Sequence, residues 1–235
     1  MSGKFAIPFA IIVSALIVAG AIFFSGSRQE EKPRDQFAGP IVAPKTQIGP
    51  RAPSTDDHVL GNPMAKIVII EYADPECPFC KDMHPTLTRI VDEFGREGNV
   101  AWVYRQFPVI QKHSQAMEEA EAIECAGVVA GNSGFFAYLG KLYAVTPSNN
   151  NLPLEELTSI AKELNFNMTT FDDCRKSDET LPRIKADIED GVAVGVTGTP
   201  FTVITGPNDS RIIVEGSRTY LGMKSILNQF LAQTK

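Results

Sequence analysis

The rhythm of apolar and polar positions changes several times along the chain, and each change predicts an element. Residues 5–24, FAIPFAIIVSALIVAGAIFF, run without a charge and with Ser14 as the one clearly polar side chain. A helix of that length spans about 30 Å of hydrocarbon, whereas a signal-peptide core holds about 7 to 15 apolar residues. Residues 1–25 are therefore read as a transmembrane anchor, with a signal cleaved after Ala19-Gly20 or Ser25-Gly26 as the alternative. After it the rhythm is lost. Pro and Gly recur among scattered charges, a composition that does not repay the entropy of ordering. Residues 26–56 are expected to be a flexible linker, and 57–235 the compact domain.

Within that domain KIVIIEYA, 66–73, is branched and nearly continuously apolar, the pattern of a central strand covered on both faces. Apolar positions then recur at helical spacing through Met83, Leu87, Ile90, Val91 and Phe94. Pro78 suits the first helical turn, and Pro85 is expected to kink the helix. NVAWVYRQFPV, 99–109, predicts a second strand and completes a β-α-β unit of the kind that builds parallel sheets. From Ser114 to about Asp190 the pattern is helical: one helix with an inward stripe through Ala116, Met117, Ala120 and Ile123, a shorter separate piece at FFAYLGKLYAV, and two or three more helices beyond. TPFTVITG, 199–206, and RIIVEG, 211–216, flank the turn-rich PNDS and predict a hairpin, and YLGMKSILNQFLAQ a closing amphipathic helix. The order predicts one α/β domain interrupted by a helical insertion at about 114–190.

The formal charge of -6, from 28 acidic and 22 basic residues, comes with no dense basic patch or finger spacing, which excludes nucleic acid as the expected partner. Charge also bears on orientation. Lys4 precedes the apolar run while Arg28, Lys32 and Arg34 follow it, so basic residues alone would turn the domain toward the cytoplasm. The cysteines argue for the opposite side.

Candidate chemistry is concentrated in EYADPECPFC, 71–80, where a strand ends and two cysteines stand three positions apart. A helix N-terminus stabilises negative charge, so Cys77 is biased toward thiolate and Cys80 lies one turn further in. That asymmetry makes Cys77 the attacking sulfur and Cys80 the one that resolves a mixed disulfide. Zinc is the weaker reading. Cys77, Cys80 and His84 supply three ligands where a structural site generally needs four, and His58 or His113 would have to come from a distance. An inert disulfide across so short a loop would restrain little of the unfolded chain.

On these residues the chain resembles bacterial DsbA-like thiol:disulfide oxidoreductases of the thioredoxin superfamily, in particular the membrane-anchored extracytoplasmic members. The resemblance rests on the aromatic and acidic stretch before a CPxC centre, on Gly198-Thr199-Pro200 just before a strand, on the lead-in DHVLGNPMAKIVII, and on the helical insertion. It implies a thioredoxin-like fold and a cis Pro200 facing the cysteines; read without the family, Pro200 is a strand-initiating trans proline. It implies that the Thr199 backbone meets an incoming chain while its side chain tunes Cys77. It further implies reduced or unfolded extracytoplasmic proteins as substrates, a quinone-linked membrane partner for reoxidation, and no metal or organic cofactor. The expected location is a bacterial cytoplasmic membrane, spanned once by residues 5–24, with the domain outside.

Glu71 stands in an otherwise apolar strand, where it either relays a proton to Cys80 with a raised pKa or is turned to solvent by strand alternation. Asp74 and Glu76 are read as turn residues. Pro78 and Phe79 supply no cation between the cysteines, which leaves Cys77 less acidic than in the strongest oxidants. Cys125 and Cys174 are candidates for a structural disulfide, with two unpaired buried thiols as the alternative. The expected function is thiol:disulfide exchange as an oxidase. The alternatives are an isomerase or reductase, and a membrane-tethered peptide-binding or chaperone-like module.

Overall fold

The computed structural model of the chain describes residues 41–42, 49–96 and 98–233. Its strands are β1 (Ile41–Val42), β2 (His58–Gly61), β3 (Ile67–Ala73), β4 (Val100–Gln106), β5 (Phe201–Thr205) and β6 (Arg211–Glu215). Its longer helices are α1 (Pro78–Phe94), α2 (Ala116–Val145), α3 (Glu155–Glu163), α4 (Met168–Lys176), α5 (Leu181–Val194) and α6 (Tyr220–Gln233). The transmembrane reading of residues 5–24 and most of the linker lie outside the described residues.

The strands form one sheet in the order β1-β6-β5-β3-β4-β2, with β3 parallel to β4 and antiparallel to β5. β3 reads as an unbroken apolar run because both of its faces are covered. Ile67, Ile69 and Ala73 point into a core built with α1, α2 and α6, through Met83, Leu87, Ile123, Phe135 and Leu227. Ile70 and Tyr72 point the other way, against Val194 of α5 and Val103, Phe201 and Val203 of the neighbouring strands. This is a thioredoxin-like α/β fold with a helical subdomain inserted between β4 and β5.

Several sequence expectations need adjustment. HVLG at 58–61 is an edge strand, β2, paired antiparallel to β4; at four residues it has too little alternation to announce itself. The helix expected at Ser114 and the shorter separate piece after it are both present, as the two arms of the span α2, divided by non-helical backbone at Ala130 (φ −135°) and Gly131 (φ 63°). Gly131 supplies the left-handed backbone at that junction. α1 carries Pro85 without a break in its helical assignment. α5, counted within the insertion, covers the second face of the sheet: buried Arg105 of β4 reaches Asp190 at 2.6 Å, and the Gln106 N–H donates to Asp187 at 3.0 Å.

The end of the presumed linker is also tied down. The Arg51 N–H donates to Asp190 at 2.8 Å, its guanidinium meets Asp187 at 2.6 Å, and Arg105 donates to the Arg51 carbonyl at 3.0 Å. Residues Ile41–Val42 pair with β6 as a sixth strand, with Ile41 opposite Ile213. Ordered structure therefore begins upstream of Asp57.

Cys125 in α2 and Cys174 in α4 are joined, with a Cα–Cα distance of 5.7 Å, across a separation of 49 residues. Closing a loop of that length removes entropy from the unfolded chain worth roughly 4 kcal/mol on the chain-entropy model. Replacing both cysteines with alanine is expected to lower the urea unfolding free energy by about that amount; a loss under about 1 kcal/mol would contradict it. Among the described residues α2 is the one helix long and apolar enough to cross a membrane. It also carries this bond and the buried Glu119 and Glu124, and it packs against the sheet as a core helix.

Candidate active site

β3 ends at Ala73, and the turn 74–76 delivers Cys77 to the N-cap of α1 with extended backbone (φ −78°, ψ 122°). Pro78 takes the first helical turn, where its missing N–H leaves no bond unmade. The Cys80 and Lys81 N–H groups donate to the Cys77 carbonyl, both at 3.1 Å, so both sulfurs are attached to the first turn of the helix. Both cysteines are free thiols; Cys77 is 5% exposed and Cys80 1%. Phe79, between them, projects into solvent at 59% exposure.

The two thiols are driven apart electrostatically. A hydrogen bond from Cys80 is the largest influence on Cys77; burial opposes it, and donors from Thr199 and from the Cys80 and Phe79 backbones assist, lowering the pKa from 9.0 to about 6. Those backbone donors are the free amides that any helix start presents. As a thiol, Cys77 Sγ donates to the Thr199 carbonyl at 3.3 Å. Once ionised it can only accept, and the Thr199 hydroxyl is the group on that side able to donate. Cys80 is pushed well above 9.0, first by burial, then by its bond to Cys77 and the nearby Cys77 and Glu71 charges.

The Thr199-Pro200 peptide is cis and precedes β5, which places the Thr199 carbonyl over Cys77. Glu71 is 1% exposed and lies opposite Tyr104 on one side and Thr202 on the other. Turning it to solvent is impossible, since a strand covered on both faces has no solvent side. Burial raises its pKa from 4.5 to about 8; the nearby Trp102 indole opposes the rise and the Cys77 charge adds to it. Neither Glu71 Oε1 nor Trp102 Nε1 reaches hydrogen-bond geometry with any partner among the described residues.

Sequence reasoning missed the buried polar scaffold behind the cysteines. Asp74 is fully buried: its N–H donates to Cys80 Sγ at 3.4 Å, and its carboxylate accepts from the Glu76 N–H at 2.8 Å and the Val109 N–H at 2.7 Å. The same carboxylate meets His113 Nδ1 at 2.8 Å, and its carbonyl accepts from the Tyr143 hydroxyl at 3.3 Å. Asp74 thus fixes the turn from which Cys77 projects. His84, weighed as a zinc ligand, packs against the Trp102 and Tyr143 rings at centroid distances of 5.4 and 5.3 Å, and burial lowers its pKa to about 4. Only the acidic character of the turn was visible beforehand; its partners arrive from segments far along the chain.

A family model described as Thioredoxin matches residues 54–229. Among solved structures, DsbA2 of Pseudomonas aeruginosa is 28% identical, with a TM-score of 0.62 over 76% of this chain and 95% of that one. Alpha-DsbA1 of Wolbachia pipientis has a TM-score of 0.68 at 20% identity, over 78% of this chain and 95% of that one, and speaks for the fold. A curated relative, the Na(+)/H(+) antiporter NhaA 1 of Mycobacterium sp. (strain KMS), is 26% identical over 81% of this chain. The chain spans only 30% of that relative's length.

Proposed function

The chain belongs to the thioredoxin family and is a thiol:disulfide oxidoreductase, and from that premise we propose that Cys77 and Cys80 oxidise reduced or unfolded proteins outside the cytoplasm. A substrate thiolate attacks Cys77 Sγ of the enzyme disulfide, the Cys77–Cys80 bond breaks, and its electron pair leaves on Cys80. Cys80 is a poor anion in its buried setting. Glu71, ionising at about 8, still holds a proton at neutral pH and supplies it to Cys80. A second substrate thiolate attacks the substrate sulfur of the mixed disulfide and expels Cys77 as thiolate. The substrate gains a disulfide, and the enzyme leaves reduced by two electrons. A membrane partner of the quinone-linked type would take those electrons, with residues 5–24 keeping the domain at the bilayer.

The observation that carries the oxidising direction is the placement of Cys77 at the N-cap of α1, among the free amides of the first turn and beside Thr199, a setting that acidifies its thiol. Stabilising the thiolate stabilises the reduced enzyme and makes its disulfide a stronger oxidant. A specific observation also favours the reducing or isomerising reading. A value of about 6 for Cys77 lies nearer the approximately 7 of thioredoxin than the approximately 3.5 of the strongest oxidants. Equilibration of the full chain with glutathione decides between them. A potential near about −120 mV supports the oxidase, and one near about −270 mV overturns it in favour of a reductant. Absence of any exchange would leave the binding-module alternative. Antiport, the activity in the curated relatives' name, is not part of the proposal.

A further inference from the structure

Glu76, immediately before the nucleophile, is fully buried and engaged at three points. Its N–H donates to Asp74 at 2.8 Å, its carbonyl accepts from the Asn149 N–H at 3.0 Å, and its Oε2 accepts from the Asn150 N–H. Asn149 and Asn150 belong to the loop after α2, where Ser148, Asn149 and Asn150 all adopt positive φ (64°, 56° and 63°). Non-glycine residues seldom occupy that region three in succession, so contacts from outside hold the loop in place. Asn150 adds further ones: its side chain accepts from Ser114 and Gln115 and donates to the Lys112 carbonyl at 3.1 Å.

The remaining oxygen of Glu76, Oε1, and both carboxyl oxygens of the fully buried Glu119 have no hydrogen-bond partner among the described residues. Burial foremost, then the neighbouring Glu76 and the Asp74 charge, hold the Glu119 pKa well above the usual carboxylate range. Glu76 itself is held by backbone donors of the asparagine loop. The other titratable groups around the pair are Asp74 and, bound to it, His113; the asparagine loop offers only backbone and amide groups, and Lys81 reaches it at the Thr146 carbonyl.

We propose that Glu76 is a positioning residue that, through the Asn149 and Asn150 N–H groups, pins the Cys77 turn to the helical insertion and so keeps the nucleophile over the donors that stabilise its thiolate. The inference rests on the exchange chemistry proposed above.

Its test uses opposite signs. Removing a negative charge beside Cys77 can only make the thiol more acidic, so an effect in the other direction reports lost positioning. In the reduced full chain, Glu76→Ala is expected to move Cys77 ionisation, followed by ultraviolet thiolate absorbance, to higher pH. It is expected to slow reaction with a small aromatic disulfide on the order of 10- to 100-fold. Glu76→Gln, which still accepts from Asn150, is expected to leave ionisation unchanged or move it to lower pH. Glu76→Ala and Glu76→Gln shifting ionisation together to lower pH would overturn the proposal. Should Glu76→Ala fail to fold, Asn150→Ala decides: it leaves Glu76 in place but removes the side-chain bonds to Ser114, Gln115 and Lys112 that anchor its donor loop. Cys77 ionisation is expected to move to higher pH in it, and unchanged ionisation overturns the proposal. Failure of the wild-type protein to exchange would sink the proposed function while leaving the ionisation results to stand or fall separately.

Discussion

Cys77→Ser in the full chain is expected to abolish disulfide transfer to a reduced, unfolded protein, with a fall of about a thousandfold or more, toward the uncatalysed rate. The oxygen of serine cannot form a disulfide, and Cys80 cannot substitute. Cys80 is 1% exposed, and its thiol pKa is pushed well above 9.0 by burial, its bond to Cys77 and neighbouring charge. Cys80→Ala should behave differently. Cys77 keeps its backbone donors at the helix start and Thr199, but loses the Cys80 hydrogen bond that is the largest influence on its acidity, so its ionisation moves to higher pH. With the resolving sulfur gone, mixed disulfides formed from an activated partner should persist and be visible on non-reducing gels. Residual transfer in Cys77→Ser near the wild-type rate would place the chemistry elsewhere.

Glu71→Leu is expected to make the protein more stable and a poorer catalyst. The unfolded carboxyl ionises near 4.5 and the folded one at about 8, chiefly because of burial. Between those values the folded state binds more protons than the unfolded state, so stability falls as pH rises, at about 1.4 kcal/mol per pH unit. Leucine removes that penalty. The variant should match or slightly exceed the wild type near pH 4, gain on it steadily above pH 4.5, and level off above pH 8. In catalysis the effect is reversed: without the Glu71 proton, departure of Cys80 should slow by about 100-fold or more, and the pH–rate limb near 8 should vanish. Denaturant melts at pH 4 and pH 8 and a pH–rate profile check both parts. Equal stability gains at the two pH values, or an unchanged limb, would assign Glu71 a packing role.

Whatever depends on local pattern was legible in the sequence. β3, β4, the β5–β6 hairpin and α1 each follow from periodicity and from a proline or glycine at a boundary, and Cys77 and Cys80 were located by the strand before them and the helix after. Contacts between distant segments were hidden. Nothing in RAPS at 51–54 announces that Arg51 will meet Asp187 and Asp190. α5 has its own amphipathic pattern, but only the tertiary structure tells which face of the sheet it covers. Glu71 was ambiguous for a related reason: alternation assigns it a face, and whether that face is wet depends on α1 and α2. Glu119 did leave a trace. It stands three positions after Ala116 and four before Ile123, on the inward stripe of α2, where a carboxyl requires a buried partner. That it would lie near Glu76, in the turn beside the nucleophile, could not be read from spacing.

Exchange at this site depends most directly on the acidity of one sulfur. Cys77 of the reduced protein is depressed from 9.0 to about 6, with the Cys80 hydrogen bond foremost. By linkage this thiolate stabilises the reduced fold fully above pH 9, and the contribution is lost as pH falls through 6. Titration of the reduced full chain by ultraviolet thiolate absorbance, with Cys77→Ser as the blank, measures this ionisation. Half-ionisation close to pH 6 is the predicted result; ionisation at the 9.0 of an unperturbed thiol would contradict the mechanism.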